Sequence, residues 1–250
     1  MAEFKDYFST ASDDYKLYRP HYPRELYQYL ADIAPGAELA FDVGCGNGQA
    51  SRELAEFFQQ VYASDASAAQ IQQAAPHAKV HYQVSPAEKI NAPDASVDLV
   101  TVAQAIHWFQ HDAFFAEVDR VLKPNGILAI WGYQLLYTET ELDPLVEKFH
   151  TEIIGPYWPP ERALLDDGYT RIPFPYARIA TPQFYMSAHW KFSHLIGYLN
   201  TWSAVKQYEK ALGENPVEQH FHEFEGAWGN LEREKKIVWP LILYVGKKSV

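Results

Sequence analysis

The feature that most constrains the fold is a regular alternation of apolar segments and helical patterns between residues 39 and 131. Short apolar segments bounded by turn residues are typical of strands. Val97–Ala103 is largely apolar, as a parallel strand covered on both faces is. The alternation predicts a mostly parallel sheet with helices on both faces. The predicted strands of this region are residues 39–43, 61–64, 80–84, 97–103 and 127–131.

The chain after residue 135 lacks this regularity. Two further strands are predicted at residues 183–192 and 237–245, and helices at 141–153 and 194–230. Pro240 favours an edge strand or a bulge, because proline cannot donate to a ladder. We expect one domain over residues 1–250. Its parts are an N-terminal arm and helix (1–35), a ligand-binding core (36–135), lid insertions with a sixth strand (136–236) and a closing strand (237–250).

Composition excludes several classes of partner. The net charge of −11 disfavours nucleic acid, because an acidic surface repels phosphates. Cys45 is the single cysteine, so an internal disulfide and a multi-cysteine metal site are excluded. His220 and His222 have a metal-site spacing, but their glutamate-rich helical context favours a solvated face. We predict no metal and no membrane partner, and a cytoplasmic location. The oligomeric state stays open.

A glycine-rich turn, Gly44-Cys45-Gly46-Asn47-Gly48, joins the first strand to the next helix. Glycines allow a tight turn and close approach of the backbone to a ligand, and the helix N-terminus offers unpaired N–H groups. Asp65 ends the second strand, 21 residues after Gly44, where a carboxylate can accept both ribose hydroxyls of a nucleoside. A nicotinamide dinucleotide is the alternative ligand, but its glycine pattern requires glycine where Gln49 stands.

The segment Asp42–Gly48 resembles motif I of class I S-adenosylmethionine (SAM)-dependent methyltransferases. Other motifs of that family are similar to Asp65-Ala66-Ser67, Ala87-Glu88-Lys89 and Arg120–Gly126. The flanking segments resemble the small-molecule group that contains trans-aconitate methyltransferase. These segments are Tyr18–Pro23, Ala105–Phe109 and residues 167–175.

The resemblance implies a Rossmann-like α/β fold, with a seven-stranded, mostly parallel sheet and late helical insertions that form a lid. It implies SAM as cofactor and S-adenosylhomocysteine as product. Arg19 would pair with the methionine carboxylate of SAM. The backbone of Ala87 and the side chain of Glu88 would contact the adenine, since Pro86 stands where many relatives carry an acid. The implied cofactor-binding residues are Arg19, Asp42, Gly44, Gly46, Gly48, Asp65, Ala87, Glu88 and Gln104.

Three groups of residues are candidates for substrate chemistry. His107 follows the fourth strand, at the edge of the sheet where α/β proteins bind ligands, and is the candidate catalytic residue. It would accept a proton or orient the substrate. Trp108 would form a wall of the site, and Arg162, Tyr169 and Arg171 would bind a substrate anion. The alternatives are packing for His107 and solvent exposure for the lid residues. The arm residues Tyr15, Tyr18 and Tyr22 would close over the cofactor or pack on the first helix.

The function that these features predict is SAM-dependent methyl transfer to a small molecule, with O-methylation of a carboxylate as the specific reaction. The first alternative is a non-catalytic SAM-binding protein. A nicotinamide-dependent oxidoreductase is a weaker alternative because of Gln49. Methylation of a macromolecule is disfavoured by the acidic charge and by the lack of an Asn-Pro-Pro-Tyr type motif after the fourth strand.

Overall fold

A seven-stranded sheet with the strand order β3-β2-β1-β4-β5-β7-β6 organises the molecule. It is seen in a computed structural model that describes residues 18–249. Strands β1 to β5 pair in parallel, whereas β7 runs antiparallel to both of its neighbours. This arrangement confirms the predicted fold class. The strands are β1 (Leu39–Val43), β2 (Gln60–Asp65), β3 (Val80–Val84), β4 (Val97–Ala103), β5 (Leu122–Tyr133), β6 (Tyr185–Trp190) and β7 (Lys235–Lys247).

Ten α-helices are described within residues 18–249, along with several shorter turns. The helices are α1 (Arg24–Ile33), α2 (Gln49–Leu54), α3 (Ala68–Gln72), α4 (His111–Val121), α5 (Leu142–Lys148), α6 (Ala163–Asp166), α7 (Phe192–Asn200), α8 (Ser203–Leu212), α9 (Pro216–Gln219) and α10 (Phe221–Trp228). The 3₁₀ turns are Ile106–Trp108, Gly155–Tyr157 and Pro160–Arg162, and Phe149–Ile153 is a π-helical turn. None of the helices in the described residues is both long and apolar enough to cross a membrane.

The two faces of the sheet bury different layers. Successive side chains of a strand point to opposite faces, and β5 illustrates this alternation. Ala129 and Trp131 pack with α1, α2 and the helices of the second half. Leu128 and Ile130 pack with α4 and α6. The sheet is therefore covered on both faces, and residues of the late insertions pack on each of them.

The structure corrects three local predictions. Pro240 does not mark an edge, because β7 lies between β5 and β6. Residues 235–240 pair with β6 and residues 241–247 with β5, so the missing N–H falls where the strand changes partner. The fifth strand, predicted at 127–131, already begins at Leu122, and its segment 123–126 is irregular, with Asn125 at φ 65°. The predicted helical region 194–230 divides into α7 to α10, and Gly213 ends α8 in a left-handed conformation.

Candidate active site

The glycine turn lies between β1 and α2, and all three of its glycines adopt a positive φ. The angles are 70° at Gly44, 56° at Gly46 and 82° at Gly48, a region that favours glycine. Gly44 and Cys45 donate their N–H groups to the carbonyl of Ser64 at 2.8 and 2.9 Å. These bonds hold the turn against the end of β2.

The space beside each glycine differs. A Cβ on Gly44 would stand 2.7 Å from the Cβ of Ala105, and one on Gly48 would stand 2.2 Å from the hydroxyl oxygen of Tyr82. Packing therefore explains these two glycines. A Cβ on Gly46 would meet only the side chain of Gln70, at 3.7 Å, within the described part of the chain. Gly46 is thus the point of the turn that a ligand can approach.

Asp65 lies beside this open point. Its Oδ2 accepts the N–H of Gly46 and its Oδ1 accepts the N–H of Ser67, both at 2.8 Å. Ser67 in turn caps α3, through a bond from the N–H of Gln70 to its hydroxyl oxygen. The carboxylate is therefore fixed at the junction of the glycine turn and the end of β2.

Asp42 lies beneath the turn and is fully buried. Ser51 donates to its Oδ2 at 2.6 Å, and Thr101 donates to its Oδ1 at 2.8 Å. Burial raises the pKa of Asp42 to about 6, and the two hydroxyl bonds oppose that rise. This geometry ties β1, α2 and β4 together under the loop and gives Asp42 a supporting position.

Ala87 and Glu88 follow β3. Ala87 is buried in the layer that contains α4. Glu88 accepts the backbone N–H of Gln110 at 2.8 Å, which connects the loop after β3 to the start of α4. The Glu88 side chain therefore contributes to loop structure at this edge.

Gln104 follows β4 in a left-handed conformation, with φ 55°. Its side-chain oxygen accepts the N–H of Tyr133 at 2.8 Å, and its amide donates to the carbonyl of Tyr133 at 3.1 Å. Both ends of the amide thus bind the end of β5. The side chain holds the two central strands together where the site opens.

His107 lies on the 3₁₀ turn after β4 and is only 8% exposed. Its Nδ1 is 3.2 Å from the hydroxyl of Tyr169, which is fully buried at φ 62°. Burial, together with the charge of Arg162, lowers the pKa of His107 to about 3. The imidazole is therefore neutral near pH 7. Trp108 is partly buried beside it, with ring centroids 4.8 Å apart.

Arg162 lies in an aromatic environment at the edge of the site. Its guanidinium lies over the ring of Trp158 at 4.0 Å. Its Nε forms an ion pair with Asp166 at 3.3 Å, and its side chain is 18% exposed. Burial lowers the pKa of Arg162, and the nearby charge of Arg19 acts in the same direction. Arg171, in contrast, is largely exposed and pairs with Asp167.

Arg19 brings the N-terminal segment to the end of β5. Its Nη1 donates to the hydroxyl of Tyr133 at 2.8 Å, and its guanidinium lies 5.1 Å from the ring centre of Tyr198. Gln49, the first residue after the turn, donates to the carbonyl of Pro20 at 3.0 Å. The segment therefore runs from the glycine-turn helix to the late helices.

The other arm tyrosines pack within the fold where the structure describes them. Tyr18 fills the space beside Gly197 of α7. Tyr22 packs edge-on against Trp131, with ring centroids 5.6 Å apart. Tyr15 lies outside the described residues.

The structure brings His107, Tyr169, Arg162 and Arg19 to one edge of the sheet. It adds residues that sequence reasoning missed. Tyr133 stands two residues after the predicted fifth strand, and this position at the carboxyl end of a strand was a usable signal. Tyr198, Trp158 and His150 come from the late insertions, where no local pattern marked them. His220 and His222 stay apart from the site, and each pairs with a glutamate three residues later.

Comparison with known proteins connects this geometry to a family. Residues 41–130 match the model of a methyltransferase domain, Methyltransf_11. A candidate methyltransferase of Dictyostelium discoideum is 34% identical over 254 residues, which cover 99% of this chain and 97% of that protein. The chain belongs to the SAM-dependent methyltransferases. SAM is therefore its cofactor.

Solved structures agree with this assignment. A candidate type II methyltransferase from Anaeromyxobacter dehalogenans is 39% identical and superposes with a TM-score of 0.87, over 93% of this methyltransferase and 99% of that chain. Haemonchus contortus phosphoethanolamine N-methyltransferase 2, in complex with phosphomonomethylethanolamine and S-adenosylhomocysteine, shares the fold alone. It is 16% identical, with a TM-score of 0.52 over 100% of this chain and 61% of that one.

The residues around the turn fit a SAM molecule. Gly46 leaves room for close approach of a ligand, and the carboxylate of Asp65 lies beside it. Arg19 lies at the end of β5, where it donates to the hydroxyl of Tyr133, and a guanidinium is a suitable partner for a carboxylate. When bound, SAM supplies an electrophilic methyl group on a sulfonium.

Proposed function

We propose that this methyltransferase methylates a carboxylate oxygen of a small organic acid. The observation that carries the proposal is the buried guanidinium of Arg162, close enough to the neutral imidazole of His107 for its charge to lower that ring's pKa. The resemblance to the group that contains trans-aconitate methyltransferase supports the same class of acceptor.

Charge favours an anionic substrate. Arg19 lies close enough to Arg162 for its charge to lower the pKa of the Arg162 guanidinium. The carboxylate of Asp166, which pairs with Arg162, is 41% exposed. Two guanidinium groups close together, one of them largely buried, favour binding of a further anion beside them. In our proposal the methionine carboxylate of SAM binds Arg19 and the substrate carboxylate binds Arg162, with Tyr169 and Trp108 lining the site.

The state of His107 favours a carboxylate over a hydroxyl. An alcohol acceptor benefits from a general base whose pKa lies near the working pH. With a pKa of about 3, His107 is a weak proton acceptor at neutral pH. A carboxylate is ionised there and needs no base. Its oxygen forms the new C–O bond while the S–CH₃ bond breaks and its electron pair stays on sulfur, which gives a methyl ester and S-adenosylhomocysteine.

The remaining residues take supporting roles in this proposal. Asp65 binds the ribose, and the segment Ala87–Glu88 borders the adenine. Asp42 and Gln104 act through the backbone that they hold, because their polar atoms bond Ser51 and Thr101, and Tyr133, respectively. His107 orients the acid and is not required to accept a proton.

The test is turnover with a panel of small acids and their primary amides, measured as S-adenosylhomocysteine formed. We expect acids to react and amides to fail. Arg162→Gln is expected to lower kcat/KM for the best acid by about 10- to 150-fold, as loss of hydrogen bonds to a charged group does.

Arg171→Gln is the matched control. Its side chain is 61% exposed, so its kcat/KM should stay within about twofold of wild type. SAM affinity of each variant is measured in parallel to separate substrate binding from cofactor binding. Equal turnover of acids and amides, or an unaffected Arg162→Gln variant, would contradict the proposal.

A further inference from the structure

His150 is a buried histidine of the late insertions, and the function proposed above assigns no role to it. It lies in the π-helical turn Phe149–Ile153 and is 7% exposed. Such turns occur often at functional sites. Its ring centroid lies 5.0 Å from that of Trp158 and 5.6 Å from that of Trp202.

The two ring nitrogens of His150 have no hydrogen-bond partner among residues 18–249, and both are shielded from solvent. A buried polar atom without a partner destabilises a fold, so most such atoms are paired. The ring is perpendicular to Trp202, at 89°. An N–H···π contact there can satisfy at most one nitrogen. The other nitrogen still lacks a hydrogen-bond partner among the described residues.

Trp158 connects His150 to the proposed anion site. The same indole packs against the imidazole of His150 and lies under the guanidinium of Arg162. The charge of Arg162 reaches His150, since together with burial it lowers the pKa of His150 to about 3. The imidazole is thus neutral and offers one donor and one acceptor.

A hydroxyl group fits this environment best. It donates and accepts, so it can bond either nitrogen of a neutral imidazole in either tautomer. The surrounding tryptophans favour an apolar or planar body between the polar ends of a ligand. The positive charge of Arg162 disfavours a cationic group on the ligand.

We propose that His150 binds a hydroxyl group of the acid substrate, while Arg162 holds its carboxylate. The substrate class is then a hydroxy acid with an apolar body. This inference rests on the proposed function and adds a specificity-determining residue to it.

The experiment compares hydroxy acids with their parent acids. The probes are phenylacetate with its 2-, 3- and 4-hydroxy derivatives and mandelate, and hexanoate with its hydroxy derivatives. We expect wild type to prefer at least one hydroxy acid over its parent by about tenfold in kcat/KM. His150→Phe is expected to remove this preference, so that the hydroxy acid and its parent acid react with similar kcat/KM. His150→Asn, which keeps a donor and an acceptor, should restore part of it.

The possible outcomes distinguish failure of this inference from failure of the proposed function on which it rests. If no acid is methylated, the proposed function fails and the inference fails with it. If acids react without any hydroxyl preference, or if His150→Phe keeps the preference, the function stands and the inference is overturned.

A second measurement covers the case in which His150→Phe does not fold. The ring ¹⁵N resonances of His150 in the wild-type protein with S-adenosylhomocysteine should shift on addition of the preferred hydroxy acid and stay in place with its parent. An equal response to both acids would overturn the inference.

Discussion

Replacement of Asp65 by alanine is expected to weaken binding of SAM and S-adenosylhomocysteine by about 10- to 150-fold. The Asp65 carboxylate accepts the N–H groups of Gly46 and Ser67 at 2.8 Å, and a carboxylate has about four acceptor sites, so ribose hydroxyls can bind it as well. Hydrogen bonds to a charged group contribute about 1.5–3 kcal/mol. At about 1.4 kcal/mol for each tenfold change, this gives the stated range.

The alanine variant also removes the bonds that Asp65 accepts from Gly46 of the turn and from Ser67, so a second comparison isolates the ribose contact. Calorimetry is performed with S-adenosylhomocysteine and with its 2′-deoxy and 3′-deoxy analogues. The wild type should lose affinity when a ribose hydroxyl is removed, whereas Asp65→Ala should bind all three ligands alike. Asp94→Ala is the matched control, because that carboxylate is 78% exposed and pairs with Arg120. The affinity of this variant for S-adenosylhomocysteine should equal that of the wild type.

Two results would refute the reasoning. Unchanged SAM affinity of Asp65→Ala would exclude a role for this carboxylate in cofactor binding. Equal binding of the deoxy analogues to wild type would limit Asp65 to support of the glycine turn.

Three further predictions concern the glycine turn, the buried acid and the buried histidine. Gly48→Ala should lower the free energy of unfolding more than Gly46→Ala, because its methyl group clashes with Tyr82 whereas a methyl group on Gly46 makes only an ordinary contact with Gln70. Chemical denaturation checks this difference, and SAM affinity should fall for Gly46→Ala. The pKa of Asp42 is raised to about 6, so the folded state holds this proton more tightly, and the free energy of unfolding should fall by about 3 kcal/mol as pH rises from about 3 to 7. Asp42→Asn should flatten that dependence in denaturation curves, and an unaltered slope would contradict it. His107→Ala should lower kcat/KM for the best acid by about 2- to 13-fold with an unchanged pH profile; a drop beyond about a hundredfold with loss of the basic limb would support a general base instead.

Local patterns predicted the sheet because each strand of the first half is defined by its own residues. The apolar run Val97–Ala103 and the turn Gly44–Gly48 need no distant partner to be recognised. The edge position assigned to Pro240 was wrong for the converse reason. β7 pairs with β6 in its first half and with β5 in its second half. This change of partner depends on the positions of β5 and β6, which the local sequence around Pro240 does not indicate.

The strand pattern predicted the location of a site residue only where that residue lies at the end of a strand. His107 and Asp65 follow strands, so their place at the carboxyl edge follows from the pattern. The environment of Arg162 depends on Trp158, Tyr198 and His150, which converge from three separate late segments. Their contacts are set by tertiary packing, and sequence spacing does not reveal them.

The most direct test of the account is the identity of the product. The enzyme is supplied with SAM labelled in its methyl group and with the best acid of the panel, and the product is treated with mild alkali. A methyl ester is cleaved and releases labelled methanol, as the account predicts. A label that stays on the organic product, as an ether or an N-methyl group would keep it, would contradict carboxylate O-methylation.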